Sequence, residues 1–446
     1  MVKIGLEIHG YLNTREKLFC RCKVEHGAKL TTPNVNICPI CVGEPGSKPM
    51  LPNKTAVLNI LKIGLMLDCK INKKFVWQRK HYNWPDLPKG YQDTVSGAYS
   101  IPVGENGAFA GVKIREVHIE EDPAKWDPAT GKVDYNRSGI PLIEIVTEPD
   151  FSNSEEVISW LKKLILTLSY IKAINKDLGL KADVNVSTHG ERVEIKNINS
   201  LDSIKKAIEF EIKRQGKEKV VRETRAWSDE KQETIRMREK EQAEDYRFIP
   251  DPDLPSILLD EKEIKKIKTS LPESPEIKLE KMIKKFKIDK KNAEILTSNI
   301  ELVEFFEKIS EKIDGKFALP WVTIELLRVL NYNKTTLDRA DIIPEHFISL
   351  LRLVKDGKIT QLKAKEILNR FIPKSFKPDA DETRITNKTE IEDFCKEAIK
   401  KNSKAVEDYK SGKQESFNFL MGEVMKLSRK RADYKLAREV MEKLMK

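Results

Sequence analysis

The order of apolar and polar residues divides the chain into a mixed α and β part and a helical part. Up to about residue 260, segments such as Val112–Arg115 alternate between apolar and polar residues, and Leu142–Val146 is a short, mostly apolar run, so both predict strands. The Asn-Gly pair inside Gly104–Gly107 is typical of a tight turn and predicts a hairpin there. Helical spacing of apolar residues predicts one helix capped by Ser154 and another that starts near Ser200.

Beyond about residue 270 the pattern is helical throughout, and prolines fall between the periodic segments. Leu271–Pro275 is a stiff boundary, and Pro373–Pro378 is typical of a linker. The predicted fold class is therefore α+β, with a β-rich part followed by helical parts. We expect three domains, which span residues 1–270, 271–375 and 376–446.

Length and composition are those of a soluble protein with more than one domain. A chain of 446 residues is long for a single domain, and its 39% hydrophobic and 34% charged residues suffice for cores and for solubility. No stretch approaches the ~20 consecutive apolar residues that span a bilayer. The chain starts with a strand-like pattern and has no signal peptide, so we expect a cytoplasmic protein without a membrane partner.

The net charge of +11 is concentrated in the C-terminal part. Residues 261–446 hold 41 Lys and Arg against 32 Asp and Glu, whereas residues 1–260 hold 40 against 38. Such a surplus suits a polyanionic partner such as RNA. The alternative is a lysine-rich helical surface that is merely solvated. One basic run, Arg429–Arg431, directly follows a segment whose apolar residues share one helical face.

The sharpest chemical signal is a group of four cysteines in two close pairs. Cys20 and Cys22 form a CxC pair, and Cys38 and Cys41 form a CxxC pair after a turn-rich stretch. In a cytoplasmic chain this spacing favours metal binding over disulfides. Four thiolates suit tetrahedral zinc in a closed, structural site. The alternatives are unrelated core thiols, or His26 in place of one cysteine.

A second group combines carboxylates with one imidazole. The strand period places Glu7 and His9 on one face of the first predicted strand. Glu120 lies near the end of the strand that starts near Val112, and Glu144 lies between two isoleucines. Because an unpaired buried charge is costly, Glu144 must face solvent, be paired or bind a cation. Oxygen ligands with an imidazole suit Mg²⁺ beside nucleotide phosphates, whereas the alternative is a set of surface acids on a curved sheet.

A third segment, residues 79–92, interleaves cations with aromatic rings. Such a segment suits stacking of an adenine or of the terminal base of a tRNA, while the cations hold phosphates. A purely structural loop is the alternative. The candidate contacts in this segment are Arg79, Lys80, Tyr82 and Lys89.

Several catalytic motifs are missing from the sequence. It contains no G-x-x-x-x-G-K-[ST] segment, so an ATP site would not be a P-loop. It has no Gly/Ser-rich nucleophile segment and no catalytic Cys-His framework that suggests amide hydrolysis. If this protein uses ammonia, another chain must therefore produce it.

Several longer segments resemble the B subunit of the heterotrimeric aspartyl/glutamyl-tRNA amidotransferase. The fifteen residues 136–150 are by themselves highly specific, and the resemblance extends over nearly the whole chain. The segments that carry it are 5–9 (GLEIH), 119–122 (IEED), 136–150 (NRSGIPLIEIVTEPD), 194–200 (EIKNINS), 223–225 (ETR), 245–247 (DYR), 406–410 (VEDYK) and 419–422 (FLMG).

The resemblance implies a β-rich cradle domain, a helical domain and a small helical tail domain that binds the tRNA body. In the family the cradle holds ATP and Mg²⁺, phosphorylates the side-chain carboxylate of Asp-tRNA(Asn) or Glu-tRNA(Gln), and directs ammonia onto it. The implied activity is that of a ligase that forms a C–N bond with glutamine as amide donor. The implied partners are a glutaminase A subunit, a small C subunit and misacylated tRNA.

The resemblance also implies site residues. The family's magnesium ligands fall on His9, Glu120 and Glu144, with Glu7 alongside, and the three carboxylates are expected to be catalytic. The residues expected to contact ATP and the tRNA acceptor end are Arg79, Lys80, Tyr82, Lys89, Arg137 and Lys196. The residues expected to contact the tRNA body are Arg429, Lys430 and Arg431.

Two other functions fit the same residues. One is the E-type subunit of the related two-chain enzyme, which is restricted to Glu-tRNA(Gln), although it normally carries an additional inserted domain. The other is a non-catalytic, zinc-stabilised RNA-binding protein. ATP turnover that depends on misacylated tRNA would separate the last of these from an enzyme.

Overall fold

The computed structural model has a sheet-rich N-terminal unit and a helical C-terminal unit, and this confirms the predicted α+β fold class. The units are Met1–Ser274 and Pro275–Lys446. A further division of the second unit near residue 375 stays a prediction. The structure describes residues 1–24, 32–175, 179–196, 198, 200–239, 246–378 and 384–445.

The first unit is built on a twelve-stranded, mostly antiparallel sheet. Its main path runs in the order β14-β13-β12-β11-β1-β10-β7-β5-β4-β15, while β6 pairs with β7 and β2 with β6. The strands, including two short pairs outside this sheet, are β1 (Lys3–Tyr11), β2 (Lys70–Ile71), β3 (Lys74–Phe75), β4 (Gln78–Lys80), β5 (Gln92–Thr94), β6 (Gly104–Phe109), β7 (Val112–Glu121), β8 (Lys125–Trp126), β9 (Val133–Asp134), β10 (Pro141–Thr147), β11 (Leu180–Ser187), β12 (Val193–Lys196), β13 (Glu223–Ser228), β14 (Glu233–Glu239), β15 (Ile249–Pro250) and β16 (Ile257–Leu258).

Alternation along β1 gives the sheet one apolar and one polar face. Ile4, Leu6 and Ile8 are at most 1% exposed and belong to a core cluster that also contains residues of three helices. Glu7 and His9 point to the opposite face, as the strand period predicts, and remain partly exposed. The helices of this unit are α1 (Lys54–Met66), α2 (Ser154–Tyr170), α3 (Leu201–Gln215) and α4 (Glu261–Ser270).

The predicted starts of α2 and α3 differ in accuracy. Ser200 caps α3 through its side chain, which accepts the backbone N–H of Ser203, and this confirms the prediction. The cap of α2 is Asn153, whose side chain accepts the N–H of Glu156. The prediction of Ser154 is therefore wrong by one residue, because both residue types suit a helix cap.

The hairpin predicted at Gly104–Gly107 is also wrong in position. This segment lies inside β6, and the chain turns at Ala110 and Gly111, which have φ angles of 47° and 83°. These positive angles are typical of a tight hairpin turn. Gly107 has a packing role instead, because a Cβ atom there would lie 2.4 Å from the sulfur of Cys69.

The second unit consists of helices throughout its described residues. Phe417, Leu420, Val424 and Leu427 pack on one face of α14, as predicted; the first three are at most 5% exposed, and Leu427 is partly exposed. No helix in the described parts of the chain is long and apolar enough to cross a membrane. The helices are α5 (Pro275–Phe286), α6 (Lys290–Thr297), α7 (Ile300–Ser310), α8 (Gly315–Pro320), a π-helical segment (Trp321–Leu326), α9 (Leu327–Tyr332), α10 (Pro344–Lys355), α11 (Gln361–Asn369), α12 (Lys388–Lys401), α13 (Ser403–Lys410), α14 (Gln414–Leu427) and α15 (Tyr434–Met445).

Candidate active site and metal centres

Three neighbouring strands bring His9, Glu120 and Glu144 together on the polar face of the sheet. In the antiparallel register, His9 of β1 is paired with Glu144 of β10, and Glu144 is paired with His118 of β7. Glu120 is paired with Leu142, which is two residues from Glu144 on the same strand face. Side chains from three distant parts of the sequence therefore meet at one place.

The distances in this group suit a small cation. The Nε2 atom of His9 lies 3.7 Å from a carboxylate oxygen of Glu144 and 4.0 Å from one of Glu120. One ligand atom from each residue lies within 4.8 Å of the other two. Oxygen donors with an imidazole are the ligand types that suit Mg²⁺ beside phosphates.

Burial makes this arrangement costly without a positive charge. The Glu120 and Glu144 side chains are 7% and 13% exposed. Burial, and then the charge of Glu144, raise the pKa of Glu120. Burial opposes ionisation of Glu144 as well, but His118 and His9 hold its pKa well below the usual value. Burial alone would lower the pKa of His9, yet the neighbouring carboxylates, Glu144 first, raise it to about 9.

His118 is a site residue that the sequence reasoning missed. Its Nε2 atom lies 2.7 Å from one oxygen of Glu144, and the other oxygen of Glu144 faces His9. Its side chain is 1% exposed, so it fixes Glu144 from the protein side. The alternation of Glu116, His118 and Glu120 along β7 is the sequence signal that would have placed His118 on this face.

Glu7 belongs to a neighbouring group on the same face. Its carboxylate accepts a hydrogen bond from the Asn185 side chain at 3.0 Å and lies close to those of Asp183 and Glu194. The Lys196 ammonium lies 2.7 Å from Asp183 and 3.4 Å from Glu194. Burial would lower the pKa of Lys196, but these carboxylates raise it. Lys196 thus partly neutralises the group, and Asp183 is a second residue that the sequence reasoning missed.

Arg137 is held by Asp122 at the edge of the triad formed by His9, Glu120 and Glu144. Its Nε and Nη2 atoms donate to the two oxygens of Asp122 at 2.7 and 2.8 Å, and the Tyr11 hydroxyl donates to the same carboxylate at 2.8 Å. Burial would lower the pKa of Arg137, but Asp122 raises it. A cavity of about 250 Å³ opens beside these groups and is lined by His9, Tyr11, Asp122, Arg137, Leu142, Gly179, Lys181, Asp183, Lys196 and Ile198.

The cations at the start of the 79–92 segment have contacts inside the protein. The Arg79 guanidinium lies 2.7 Å from Asp251 and 2.8 Å from Asp253. The Lys80 ammonium lies 4.8 Å from the ring centroid of Tyr246. In this arrangement Arg79 ties two segments of the first unit together.

Lys89 is also paired inside the protein, with Asp93 and Glu121, each at 2.5 Å. Burial would lower the pKa of Lys89, but these two carboxylates raise it. Burial, and then the charge of Asp86, raise the pKa of Tyr82. Arg79 and Lys89 are thus ion-paired within the protein, whereas the described residues form no ion pair with Lys80. Tyr82 is a neutral phenol.

The four predicted cysteines form one cluster. One Sγ atom from each lies within 4.8 Å of the other three, and all four are free thiols. The Cys38 backbone N–H donates to the sulfur of Cys41 at 3.2 Å, as does the Lys17 ammonium at 3.3 Å. A hydrogen bond from Cys20, despite burial, and the charge of Lys17 lower the pKa of Cys41 to about 4. The cluster can hold a metal such as zinc.

Hydrophobic packing contributes little to residues 32–37, which directly precede the second cysteine pair. Val35 and Ile37 are 55% and 37% exposed, although both are β-branched apolar residues. The segment is instead attached by polar contacts, because the Asn136 side chain accepts the backbone N–H groups of Val35 and Asn36 at 2.9 Å. A bound metal would supply the missing stabilisation. His26, the alternative ligand, lies outside the described residues.

The basic run of the second unit borders a separate cavity of about 710 Å³. Arg429 is exposed, and the Lys430 ammonium lies 3.2 Å from Glu366. Both residues have positive φ angles, 50° and 63°, in the connection after α14. Lys363 and Lys426 line the same cavity, so its wall carries a net positive charge.

Comparison with known proteins gives matches over most of the chain. A family model described as "GatB/GatE catalytic domain" matches residues 2–265, and one described as "GatB domain" matches residues 304–445. Among the proteins to which the chain is similar, three are each named as the B subunit of aspartyl/glutamyl-tRNA(Asn/Gln) amidotransferase. The chain is 45% identical to that of Methanothermobacter thermautotrophicus, with 97% of both chains covered. It is 44% identical to that of Methanopyrus kandleri (97% and 96% covered) and 42% identical to that of Methanocaldococcus jannaschii (99% and 97% covered).

Proposed function

This chain belongs to the family of aspartyl/glutamyl-tRNA(Asn/Gln) amidotransferase B subunits, and we propose that it uses ATP to activate a carboxylate carried on misacylated tRNA for amidation. The proposed substrates are Asp-tRNA(Asn), Glu-tRNA(Gln) or both. A carboxylate reacts poorly with ammonia because neither oxygen is a leaving group. Transfer of the γ-phosphoryl group to one oxygen gives an acyl phosphate and ADP. Attack of ammonia on the carbonyl carbon then releases phosphate and a proton and leaves the amide.

The observation that carries this proposal is the convergence of His9, Glu120 and Glu144 at a half-buried point of the sheet. Phosphoryl transfer depends on positioning and charge neutralisation more than on a nucleophilic side chain. In the proposed site these three residues hold Mg²⁺, which neutralises phosphate charge when bound. His118 keeps Glu144 oriented, and Glu7 anchors the adjoining carboxylate group. No residue of this chain is assigned as a covalent nucleophile.

The adjacent cavity supports binding of anionic substrates. Arg137 and Lys196 line it and are rigidly held by carboxylates, whereas Lys181 is exposed there and is the strand partner of His9. We assign these three cations to the phosphates of ATP and the acceptor end of the tRNA. Arg79 and Lys89 have a supporting role in this proposal, because their charges are already paired. Lys80 and Tyr82 remain proposed contacts at the rim.

Ammonia is proposed to come from another chain. The relatives are named as B subunits of an amidotransferase, which supports an assembly of several subunits. We propose a glutaminase A subunit and a small C subunit as partners, and glutamine as the amide donor. We further propose that the cysteine cluster holds one structural zinc and that this enzyme acts in the cytoplasm.

The decisive test uses the assembled complex with both charged tRNAs. ATP cleavage is expected only when Asp-tRNA(Asn) or Glu-tRNA(Gln) is present, together with formation of the amidated aminoacyl-tRNA. Free ammonium should replace glutamine when the glutaminase partner is inactivated. Activity with Glu-tRNA(Gln) alone would favour an E-type restriction. Binding of tRNA without any ATP cleavage would favour a non-catalytic RNA-binding protein.

A further expected result concerns the basic run of the second unit. Replacing Arg429, Lys430 and Arg431 by glutamine should weaken tRNA binding and reduce the slope of log Kd against log salt by ~1 for each phosphate group that the variant no longer neutralises. ATP cleavage with saturating tRNA should change little. The matched control is Lys162→Gln with Lys163→Gln on an exposed face of α2, which should leave the slope unchanged. An unchanged slope in the triple variant would move the tRNA-body site to the helices between residues 276 and 372.

A further inference from the structure

The six tryptophans fall into two classes by exposure. Trp84 is 42% exposed and Trp126 is partly exposed. The indoles of this pair meet edge to face, with ring centroids 5.6 Å apart and an interplanar angle of 61°. The remaining four are at most 5% exposed and are Trp77, Trp160, Trp227 and Trp321. The chain thus buries every indole except two, and these two are adjacent.

The pair is presented by two segments that are tied to each other. Trp126 lies on the short β8–β9 hairpin, where it is paired with Val133. The turn of this hairpin is fixed by Asp127, whose carboxylate accepts the backbone N–H of Ala129 at 3.0 Å. Trp84 lies in the loop of residues 81–88, and the Asp86 carbonyl of that loop accepts the N–H of Ala124 at 2.8 Å. The backbone segments that carry the two indoles are therefore tied to each other.

The pair lies close to the proposed reaction site. Glu120 is the triad residue on β7, and Asp122, two residues further along the chain, holds Arg137 at the cavity. Trp126 follows four residues after Asp122. Four residues of chain span at most ~14 Å. The same corner carries exposed cations, since Lys125 precedes Trp126 and Arg247 donates to the Asn83 side chain beside Trp84 at 3.4 Å. Exposed rings flanked by cations suit a nucleotide whose base is unpaired.

We propose that Trp84 and Trp126 form a surface on which an unpaired adenine stacks. This adenine would belong to a substrate of the proposed reaction site. This inference rests on the proposed function. Two sources offer that chemistry, which are the terminal adenosine of the charged tRNA and the adenine of ATP. Stacking on an aromatic ring needs only the π-face of the base. Its contribution would orient the nucleotide without taking part in phosphoryl transfer.

The experiment uses the assembled complex and the double variant Trp84→Ala with Trp126→Ala. Loss of stacking should raise the KM for the substrate that supplies the adenine by about 5- to 100-fold, while kcat changes little. A raised KM for charged tRNA assigns the site to the terminal adenosine, and a raised KM for ATP assigns it to ATP. When Trp84→Phe replaces Trp84→Ala in the double variant, the KM should rise less, because phenylalanine keeps an aromatic face. The matched control is Tyr332→Ala, which removes an aromatic ring that is 85% exposed in the other unit.

A second readout is independent of turnover. Because the other four indoles are buried, quenching of tryptophan fluorescence by ATP or by uncharged tRNA with an intact 3′ adenosine should come from Trp84 and Trp126. The double variant should lose that quenching.

Unchanged KM values for both substrates would overturn the inference while wild-type turnover upholds the proposed function. Loss of co-purification with the partner subunits, with quenching and KM unchanged, would also overturn it, since the pair would then be a protein interface. Absence of turnover in the wild type would instead refute the proposed function.

Discussion

Glu144→Gln is expected to lower single-turnover ATP cleavage with charged tRNA by ~100-fold or more, as follows from losing an electrostatic contribution of several kcal/mol. Glutamine keeps the size of glutamate but removes the charge that faces His9 and His118. The fold should survive, because β10 keeps its backbone pairing with both neighbouring strands. Hydrolysis of glutamine should fall less, since its nucleophile is proposed to lie on another chain.

This prediction is checked in the assembled complex across a magnesium titration. The matched control is Glu105→Gln on β6, which removes a carboxylate that is paired with Lys70 in the same sheet; its cleavage rate should stay within about twofold of wild type. His118→Gln should fall between the two variants, because it misorients Glu144 without removing a ligand. If Glu144→Gln cleaves ATP at the wild-type rate at low magnesium, Glu144 is not a metal ligand. Glu121 and Glu148 would then become the next candidates.

The sequence pattern predicts the parts of this site but not their assembly. The period of two along β1 predicts that Glu7 and His9 share the polar face, and the structure agrees. The period does not give the register between strands, which decides that Glu144 lies between His9 and His118. Asp183 was missed for the same reason, since its closeness to Glu7 arises from pairing between β1 and β11.

Local rules have similar limits in the fold. Asn106-Gly107 has the composition of a hairpin turn, yet Gly107 is a glycine because Cys69 and Leu67 approach it closely. The turn falls at Ala110-Gly111, whose sequence gives a weaker signal. Trp84 lies in the aromatic and basic segment 79–92 that the sequence singles out, but its contact with Trp126 and the exposure of both indoles depend on which loops meet.

The cysteine cluster required less from the fold, since the pairs Cys20/Cys22 and Cys38/Cys41 already limit where four thiolates can meet. The residues around the cluster also contact parts of the site that the cysteine spacing does not indicate. Ser138 donates to the Cys41 carbonyl at 2.8 Å, next to Arg137. The backbone N–H of Asn34 donates to Asp134 of β9 at 3.1 Å, and β9 pairs with Trp126. This cysteine lobe, which comprises residues 17–24 and 32–43, thus supports both the cavity wall and the segment that carries Trp126.

Cys38→Ser is therefore expected to lose the metal and to loosen this lobe. The wild-type chain should carry about one zinc per molecule. Free energy of zinc binding is part of folding free energy, ~10–16 kcal/mol in isolated zinc-finger peptides, and Val35 and Ile37 provide little burial to replace it. Thermal unfolding of the first unit should shift downwards, and proteolysis between residues 32 and 50 should become faster. The control Cys395→Ala removes a buried thiol of the second unit and should retain the zinc.

The lobe's contacts also predict a kinetic effect that separates it from the metal triad. When Asn34 and Cys41 lose their positions, Arg137 and Trp126 lose part of their support, so the KM for substrates should rise more than kcat falls. Glu144→Gln has the opposite pattern, because it acts on the step at which charge develops. Metal content by mass spectrometry and steady-state kinetics of both variants test this contrast. Stoichiometric zinc in a variant with all four cysteines replaced by serine would refute the proposal that these cysteines hold zinc. A loss of kcat in Cys38→Ser without a change in KM would show that the lobe acts on the triad itself.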